Sequence, residues 1–209
     1  MSLSSKEAIL AAARRSAQAH GYSGLNFREL AAEVGIKAAS IYYHFPSKAD
    51  LGAAVAKRYW QDTAADLDAL LTEACDPVRA LRQYPRIFRR SLESGNRLCL
   101  CSFMSAEYDD LPEPVKKEVQ AFADVNVAWL SKVLSAVSVA GPGKSQERAR
   151  AIFAAVAGAQ LMARSRSDIS LFDALIESYR VAGLLPAQTT QSSAADVRRR
   201  GPASRRHIA

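Results

Sequence analysis

The side chains with the clearest chemical potential lie in one segment, residues 37–48, with the sequence KAASIYYHFPSK. Hydroxyl and imidazole groups hydrogen-bond phosphate oxygens, ammonium groups neutralise them, and small side chains let a backbone approach base edges in a major groove. The segment offers all of these groups, at Lys37, Ala39, Ser40, Tyr42, Tyr43, His44 and Lys48. These residue types indicate recognition of a nucleic acid rather than bond-making chemistry.

Two short helices joined by a glycine turn are predicted to present this segment. Asn26 is placed to cap the first helix, with Glu29 three residues later completing a capping box. Gly35 provides the permissive backbone for a sharp turn. In the second helix, Ile41 and Phe45 are four residues apart and must face inward, so the polar and aromatic side chains between them point outward.

A third helix is predicted to begin directly after Pro46, which stops the second. Ser47 is placed to cap it, and Lys48 lies in its first turn. The helix dipole does not favour a cation at that end, but a cation and free amides together make a phosphate site. This helix is predicted to run to about Cys75.

The run GIKAASIYYHFPSKADL resembles the signature of the TetR family of transcriptional regulators. The resemblance implies a homodimer that binds a palindromic DNA operator and releases it when a small-molecule inducer enters a C-terminal domain. Two positions depart from the family pattern: Lys37 replaces a capping Ser or Thr, and Ala39 replaces a common Gly. By position, the resemblance assigns DNA contacts to Arg28, Lys37, Ala39, Ser40, Tyr42, Tyr43, His44 and Lys48.

The net charge of +7 is unevenly distributed along the chain. Residues 1–60 contain eight Lys or Arg against four acids, residues 61–186 fifteen against sixteen, and residues 187–209 five against one. Excess positive charge in the N-terminal part is expected of a DNA-binding protein, because much of the affinity of such a protein for DNA comes from the release of counterions around the phosphates. The basic tail either adds nonspecific DNA affinity or is solvated without a specific role.

Nearly the whole chain reads as helix, so the predicted fold is all-α with about nine helices. We expect a helix-turn-helix DNA-binding domain over 1–50, a helical ligand-binding and dimerisation domain over 51–186, and a disordered tail over 187–209. Ser4 with Glu7 opens the first helix and Gly21 closes it. Asp76 and Pro77 open a helix reaching to about residue 95. Later helices are predicted over 97–108, 114–139, 145–166 and 168–184, with a loop at residues 141–143.

The last two helices are the predicted dimer surface, because small residues allow two copies to pack as a four-helix bundle. The same small residues would also suit a contact between two helices of one chain. The residues proposed for the dimer interface are Ala151, Ala155, Gly158, Ala159 and Met162.

A ligand pocket is expected among the middle helices, although aromatic residues at helical spacing also fill ordinary cores. The residues proposed to line it are Trp60, Phe88, Cys99, Phe103, Met104, Phe122, Asn126 and Trp129.

Three cysteines in a chain without an export signal predict a cytoplasmic protein without a disulfide framework. Cys75, Cys99 and Cys101 are read as small buried hydrophobes or pocket lining. The alternative is an electrophile or redox sensor on the same scaffold, with a thiol pKa lowered near Arg97 and a helix start.

An enzyme or a helical small-molecule-binding protein without specific DNA binding is the remaining alternative. No Glu-x-x-His motif occurs, and none of the three histidines has a ligand partner at helical spacing. We therefore expect no catalytic residue, no metal, no cofactor and no membrane partner. The sequence does not separate a repressor from an activator.

Overall fold

The computed structural model describes residues 4–137 and 142–188. Within these residues every regular element is helical, as the sequence predicted. The elements are α1 (Ser5–His20), α2 (Phe27–Val34), α3 (Ala38–His44), α4 (Lys48–Ala74), α5 (Pro77–Gln83), α6 (Arg86–Glu93), α7 (Leu100–Ala106), a 3-10 turn (Tyr108–Asp110), α8 (Glu113–Val137), α9 (Pro142–Arg166) and α10 (Ile169–Val181).

The first three helices form the expected N-terminal unit, and their ends follow the predicted caps. The Ser4 hydroxyl accepts a hydrogen bond from the Glu7 amide, and the Asn26 side chain accepts from the amides of Arg28 and Glu29. Gly35 ends α2 in the left-handed conformation, with φ 75° and ψ 33°. This turn brings α3 across α2 and fixes the direction in which α3 points.

The long helix α4 joins the N-terminal unit to the rest of the chain. Its first turn is capped by the Ser47 hydroxyl, which accepts from the Asp50 amide. Two ion pairs connect it to α1: Arg58 to Glu7 at 3.1 Å and Arg14 to Asp62 at 3.0 Å. Both pairs are about half exposed, so solvent screening leaves them only a small contribution to stability.

An aromatic core holds the C-terminal helices together. The rings of Tyr84 and Trp129 stack at 5.9 Å, and Phe88 packs edge-on against Phe122 at 6.5 Å. The Tyr84 hydroxyl donates to Asn126 Oδ1 at 3.0 Å, so this buried polar pair is satisfied. The core therefore positions α5, α6 and α8 against one another.

Several predicted boundaries were wrong. The helix expected over 77–95 is two helices, α5 and α6, because Pro85 lacks an amide hydrogen and interrupts the helical hydrogen bonds. The described residues hold ten α-helices, in agreement with the predicted all-α fold of about nine helices. The loop expected at residues 141–143 is in part helix, since Pro142 occupies the first position of α9, where proline is favoured.

The remaining helices differ from prediction mainly by shortening. The helix expected over 97–108 covers Leu100–Ala106, and the one expected over 168–184 covers Ile169–Val181. Gly141 and most of the basic tail, residues 189–209, lie outside the described residues. In the described ranges, no helix has both the length and the apolar character needed to cross a membrane.

Candidate nucleic-acid interface and ligand cavity

The helix α3 presents its polar and aromatic face to solvent. Ile41 and Phe45 are buried on its inner side, while the Tyr43 side chain is 85% exposed. An aromatic side chain this exposed contributes almost nothing to the fold. Lys37, the residue before α3, makes no side-chain capping hydrogen bond. Its side chain is exposed, and its ammonium group has no hydrogen-bond or ion-pair partner among residues 4–137 and 142–188.

Tyr42 lies on the flank of α3, where its ring packs on Phe27 of α2 with centroids 4.7 Å apart. Its side chain remains 56% exposed. The contact between α2 and α3 therefore fixes the ring in place and leaves the hydroxyl edge outward. Tyr42 thus packs α2 against α3 with one part of its ring and leaves the rest accessible to a partner.

A recess of about 440 Å³ lies between the start of α2 and the start of α4. Arg28, Tyr42 and Lys48 line it together, so the structure brings together three of the predicted DNA contacts from three helices. The start of a helix carries partial positive charge and free amide groups. Cations beside two such helix starts make this recess suitable for a phosphate group.

Lys48 is held in place by the loop between α1 and α2. Its Nζ donates to the Ser23 carbonyl at 3.0 Å and lies 4.8 Å from the centre of the Tyr22 ring. Of the other predicted contacts, Ala39 is exposed, and Ser40 and His44 are half-buried.

The acids near this surface are already engaged. Glu33 pairs with Arg15 at 2.6 Å, and Glu29 accepts from the Asn26 amide group at 3.2 Å. The Asp50 carboxylate accepts from the Ser47 hydroxyl at 2.7 Å. The cations of the face are therefore not neutralised locally, which favours a polyanionic partner.

Sequence reasoning missed one contact between the N-terminal unit and the C-terminal helices. The Glu107 carboxylate, at the end of α7, accepts hydrogen bonds from the Tyr22 amide at 2.6 Å and the Ser23 amide at 3.5 Å. Gly21 allows this approach, because a Cβ at that position would lie 2.2 Å from Glu107 Oε2. Gly21 was predicted only as a helix end.

A cavity of about 300 Å³ lies between α7, α8 and α9. Apolar side chains form most of its wall, and Ser102 and Ser105 of α7 contribute hydroxyl groups. The complete lining is Leu98, Ser102, Ser105, Val119, Phe122, Ala123, Phe153, Ala157, Gly158 and Leu161.

Of the eight predicted pocket residues, only Phe122 lines this cavity. Five others are buried in the core: Phe88, Cys99, Met104, Asn126 and Trp129. Trp60 is half-buried and donates its indole hydrogen to Glu118 at 2.7 Å, and Phe103 lies under the Arg164 guanidinium at 5.7 Å. The serines of α7 were missed, since small polar residues carry no periodic signal.

The cysteines divide into two environments. Cys99 and Cys101 are buried, and burial raises the pKa of the Cys99 thiol and raises that of Cys101 well above its ordinary value. The prediction of burial was wrong for Cys75, which is exposed and ends α4 in a left-handed conformation, with φ 52°. Raised pKa values leave the two buried thiols protonated at neutral pH, and this disfavours electrophile sensing by them.

Three large apolar side chains of α9 and α10 are exposed to solvent. Leu161, Met162 and Val181 are 57%, 48% and 83% exposed. Of the predicted dimer residues, Ala151, Gly158 and Met162 are exposed and Ala155 is half-buried, whereas Ala159 is fully buried inside the protomer. No group of three or more His, Cys, Asp or Glu suited to a metal ion occurs in residues 4–137 and 142–188.

Both the sequence and the fold of this chain resemble those of known proteins. Residues 9–55 match the family model described as bacterial regulatory proteins, tetR family. No curated protein matches the sequence as a relative. Two solved structures each share 29% sequence identity with this chain. A TetR transcriptional regulator from Legionella pneumophila has a TM-score of 0.81, over 87% of this chain and 99% of that one. A TetR-family regulator from Agrobacterium tumefaciens has a TM-score of 0.78, over 85% of this chain and 96% of that one.

A more distant structure is similar in fold alone. FadR from Bacillus subtilis, solved in complex with stearoyl-CoA, shares 14% identity with a TM-score of 0.66, over 85% of this chain and 98% of that one. The match over 9–55 covers the helix-turn-helix and the start of α4, and the fold likeness extends through the helices beyond them. Together these findings identify the chain as a member of the TetR family of bacterial regulatory proteins.

Proposed function

We propose that this protein is a homodimeric, sequence-specific repressor that binds a palindromic operator in the cytoplasm and releases it when a small molecule binds its C-terminal domain. The observation that carries the proposal is the outward face of α3. Tyr43 is almost fully exposed, and Arg28, Tyr42 and Lys48 surround a recess beside two helix starts. The exposed Tyr43 ring contributes almost nothing to the fold, and the face as a whole matches the chemistry of a DNA groove and its phosphates.

Two copies are needed for a palindromic operator, because each half-site requires its own reading helix. Exposed apolar side chains on α9 and α10 support a dimer formed through these helices. These side chains, Leu161, Met162 and Val181, would leave water on association. Exposed Ala151 and Gly158 would let the two backbones approach closely.

The cavity between α7, α8 and α9 is the proposed inducer site. Its volume of about 300 Å³ suits a compact ligand, and its wall is apolar apart from Ser102 and Ser105. We therefore expect a mainly apolar molecule with one or two hydrogen-bonding groups. The complex of FadR with stearoyl-CoA supports the capacity of this fold to take a small molecule.

Helix α7 is the proposed connection between the inducer site and the DNA-binding unit. Ser102 and Ser105 face the cavity, and Glu107 at the end of the same helix holds the amides of Tyr22 and Ser23. The Ser23 carbonyl in turn holds Lys48. A ligand that shifts α7 would shift this loop, and with it the two recognition helices relative to the spacing of about 34 Å between major grooves.

Selection from a pool of random DNA duplexes tests the function. The wild type should retain one palindromic sequence, and a Tyr43→Ala, Lys48→Ala variant should retain none. A matched control is Tyr108→Ala, Lys116→Ala, which removes one tyrosine and one lysine from the C-terminal part, where the Lys116 ammonium lies 5.0 Å from the centre of the Tyr108 ring. Recovery of no common sequence by the wild type, or equal losses in both variants, would overturn the proposal.

A further inference from the structure

An arginine-rich groove lies on the C-terminal helices, apart from the DNA-binding face and the apolar cavity. It has a volume of about 900 Å³ and runs between α5 and α6 on one side and α10 on the other. Six arginines and four acids line it, which gives the lining a net charge of +2. The arginines are Arg79, Arg82, Arg86, Arg89, Arg90 and Arg180.

Four of these arginines share one helical face. Arg79, Arg82, Arg86 and Arg89 follow one another at intervals of three, four and three residues. Tyr84 and Pro85, between α5 and α6, keep right-handed helical backbone angles, so the face continues across the break. At about 1.5 Å per residue, the four positions span roughly 15 Å along the wall.

The acids of the groove are already occupied. Both carboxylate oxygens of Asp173 accept from Arg89, at 2.8 and 2.9 Å, and Glu93 also pairs with Arg89. Glu177 pairs with Arg180 at 3.0 Å. The Asp76 carboxylate caps α5 by accepting from two backbone amides.

Some arginine donors are left without a partner. Arg79 and Arg86 are exposed, and neither side chain has a hydrogen-bond or ion-pair partner in residues 4–137 and 142–188. The side chain of Arg180 is only 11% exposed, and its Nε is buried without an acceptor in the described part of the chain. Because the Arg180 Nε is closed to solvent, the free donors that the groove offers to an anion are those of Arg79 and Arg86.

We propose that this groove binds a small molecule carrying at least two phosphate groups. The Asp173 and Arg89 pair illustrates that one guanidinium fork satisfies a whole carboxylate. A phosphate offers more acceptor oxygens and takes several arginines at once. Arg79 and Arg86 lie two helical turns apart with Arg82 between them, so a single phosphate would leave part of the wall unmatched. Phe172 and Ile176, both buried, provide an apolar floor for the rest of the ligand.

Calorimetric titration of the full-length protein with inorganic pyrophosphate tests this assignment. The test variant is Arg79→Gln, Arg86→Gln. The control variant, Lys117→Gln, Lys132→Gln, removes the same charge from two exposed positions on α8. We expect the test variant to bind pyrophosphate at least about tenfold more weakly than the wild type, because charged hydrogen bonds are lost, and the control to change by less than about twofold.

Circular dichroism and sedimentation of each variant identify an effect on the fold or the assembly. The wild type should also bind citrate more weakly than pyrophosphate. Absence of pyrophosphate binding by the wild type would overturn the proposal, and so would equal weakening in both variants. Equal binding of citrate would overturn the assignment to phosphate. Loss of dimers in the Arg79→Gln, Arg86→Gln variant alone would instead make the groove an interface between copies of the chain.

Discussion

The contact between Glu107 and the loop after α1 leads to the most specific prediction. In Glu107→Ala the amides of Tyr22 and Ser23 lose their acceptor, at 2.6 and 3.5 Å respectively. A hydrogen bond to a charged group contributes about 1.5–3 kcal/mol to stability. Only the bond from the Tyr22 amide is short enough to count as a strong hydrogen bond. Because the carboxylate is half-buried, we expect the free energy of unfolding to fall by about 1.5 kcal/mol.

Urea unfolding followed by circular dichroism measures this loss. With a slope of about 2 kcal/mol per molar urea, the midpoint should fall by roughly 0.7 M. Asp109→Ala is the matched control, since it removes an exposed carboxylate two residues away that makes no side-chain hydrogen bond in the described structure. Its free energy of unfolding should change by less than about 0.5 kcal/mol.

The same contact can be perturbed from the other side. Gly21→Ala would place a Cβ against the Glu107 carboxylate, in a backbone with φ 68° that disfavours alanine. It should therefore destabilise the protein at least as much as Glu107→Ala. In both variants DNA affinity should also fall, because the loop that holds Lys48 is loosened. Unfolding and DNA binding indistinguishable from those of Asp109→Ala would refute the role given to this contact.

Three further predictions concern the cysteines, the dimer and alkaline stability. A thiol reagent should label only Cys75 in the native protein, and all three cysteines in denaturant; labelling of a second native thiol would contradict the buried environment. Met162→Glu should weaken dimerisation by about a hundredfold or more in sedimentation equilibrium, because each copy would bury an unpaired charge. Burial raises the pKa of Tyr59 and Tyr84 well above 10.0, so unfolded phenols ionise first and stability should fall as the pH rises above about 10. A melting temperature unchanged from pH 9 to 11 would contradict the last prediction.

The sequence predicted the DNA-binding unit well because its signals are local. A capping box at Asn26, a glycine turn at Gly35 and two apolar residues four apart determine both the helices and the outward face of α3. The break at Pro85 was also readable, since proline interrupts a helix wherever it falls inside one. The helical pattern continues on both sides of Pro85, however, and this continuity favours one helix over two.

The sites of the C-terminal part were harder to predict because they depend on distant residues meeting. Glu107 and Tyr22 are 85 positions apart, and no periodic pattern connects them. For aromatic residues such as Phe88 and Trp129 the sequence left both pocket lining and core packing open, and both side chains are buried in the core. The cavity forms where the small residues Ser102, Ser105 and Gly158 leave space between helices. A space of this kind depends on how the helices pack, so it is difficult to predict from the sequence.

Competition between two duplexes tests the central claim most directly. Fluorescence anisotropy would measure the affinity of the wild type and of Tyr43→Ala for the selected palindrome and for a scrambled duplex, at one salt concentration. The wild type should prefer the palindrome by about a thousandfold or more, as specific regulators do, and Tyr43→Ala should lose most of this preference while keeping its affinity for the scrambled duplex. Equal affinity of the wild type for both duplexes would contradict a sequence-specific regulator that reads DNA through α3.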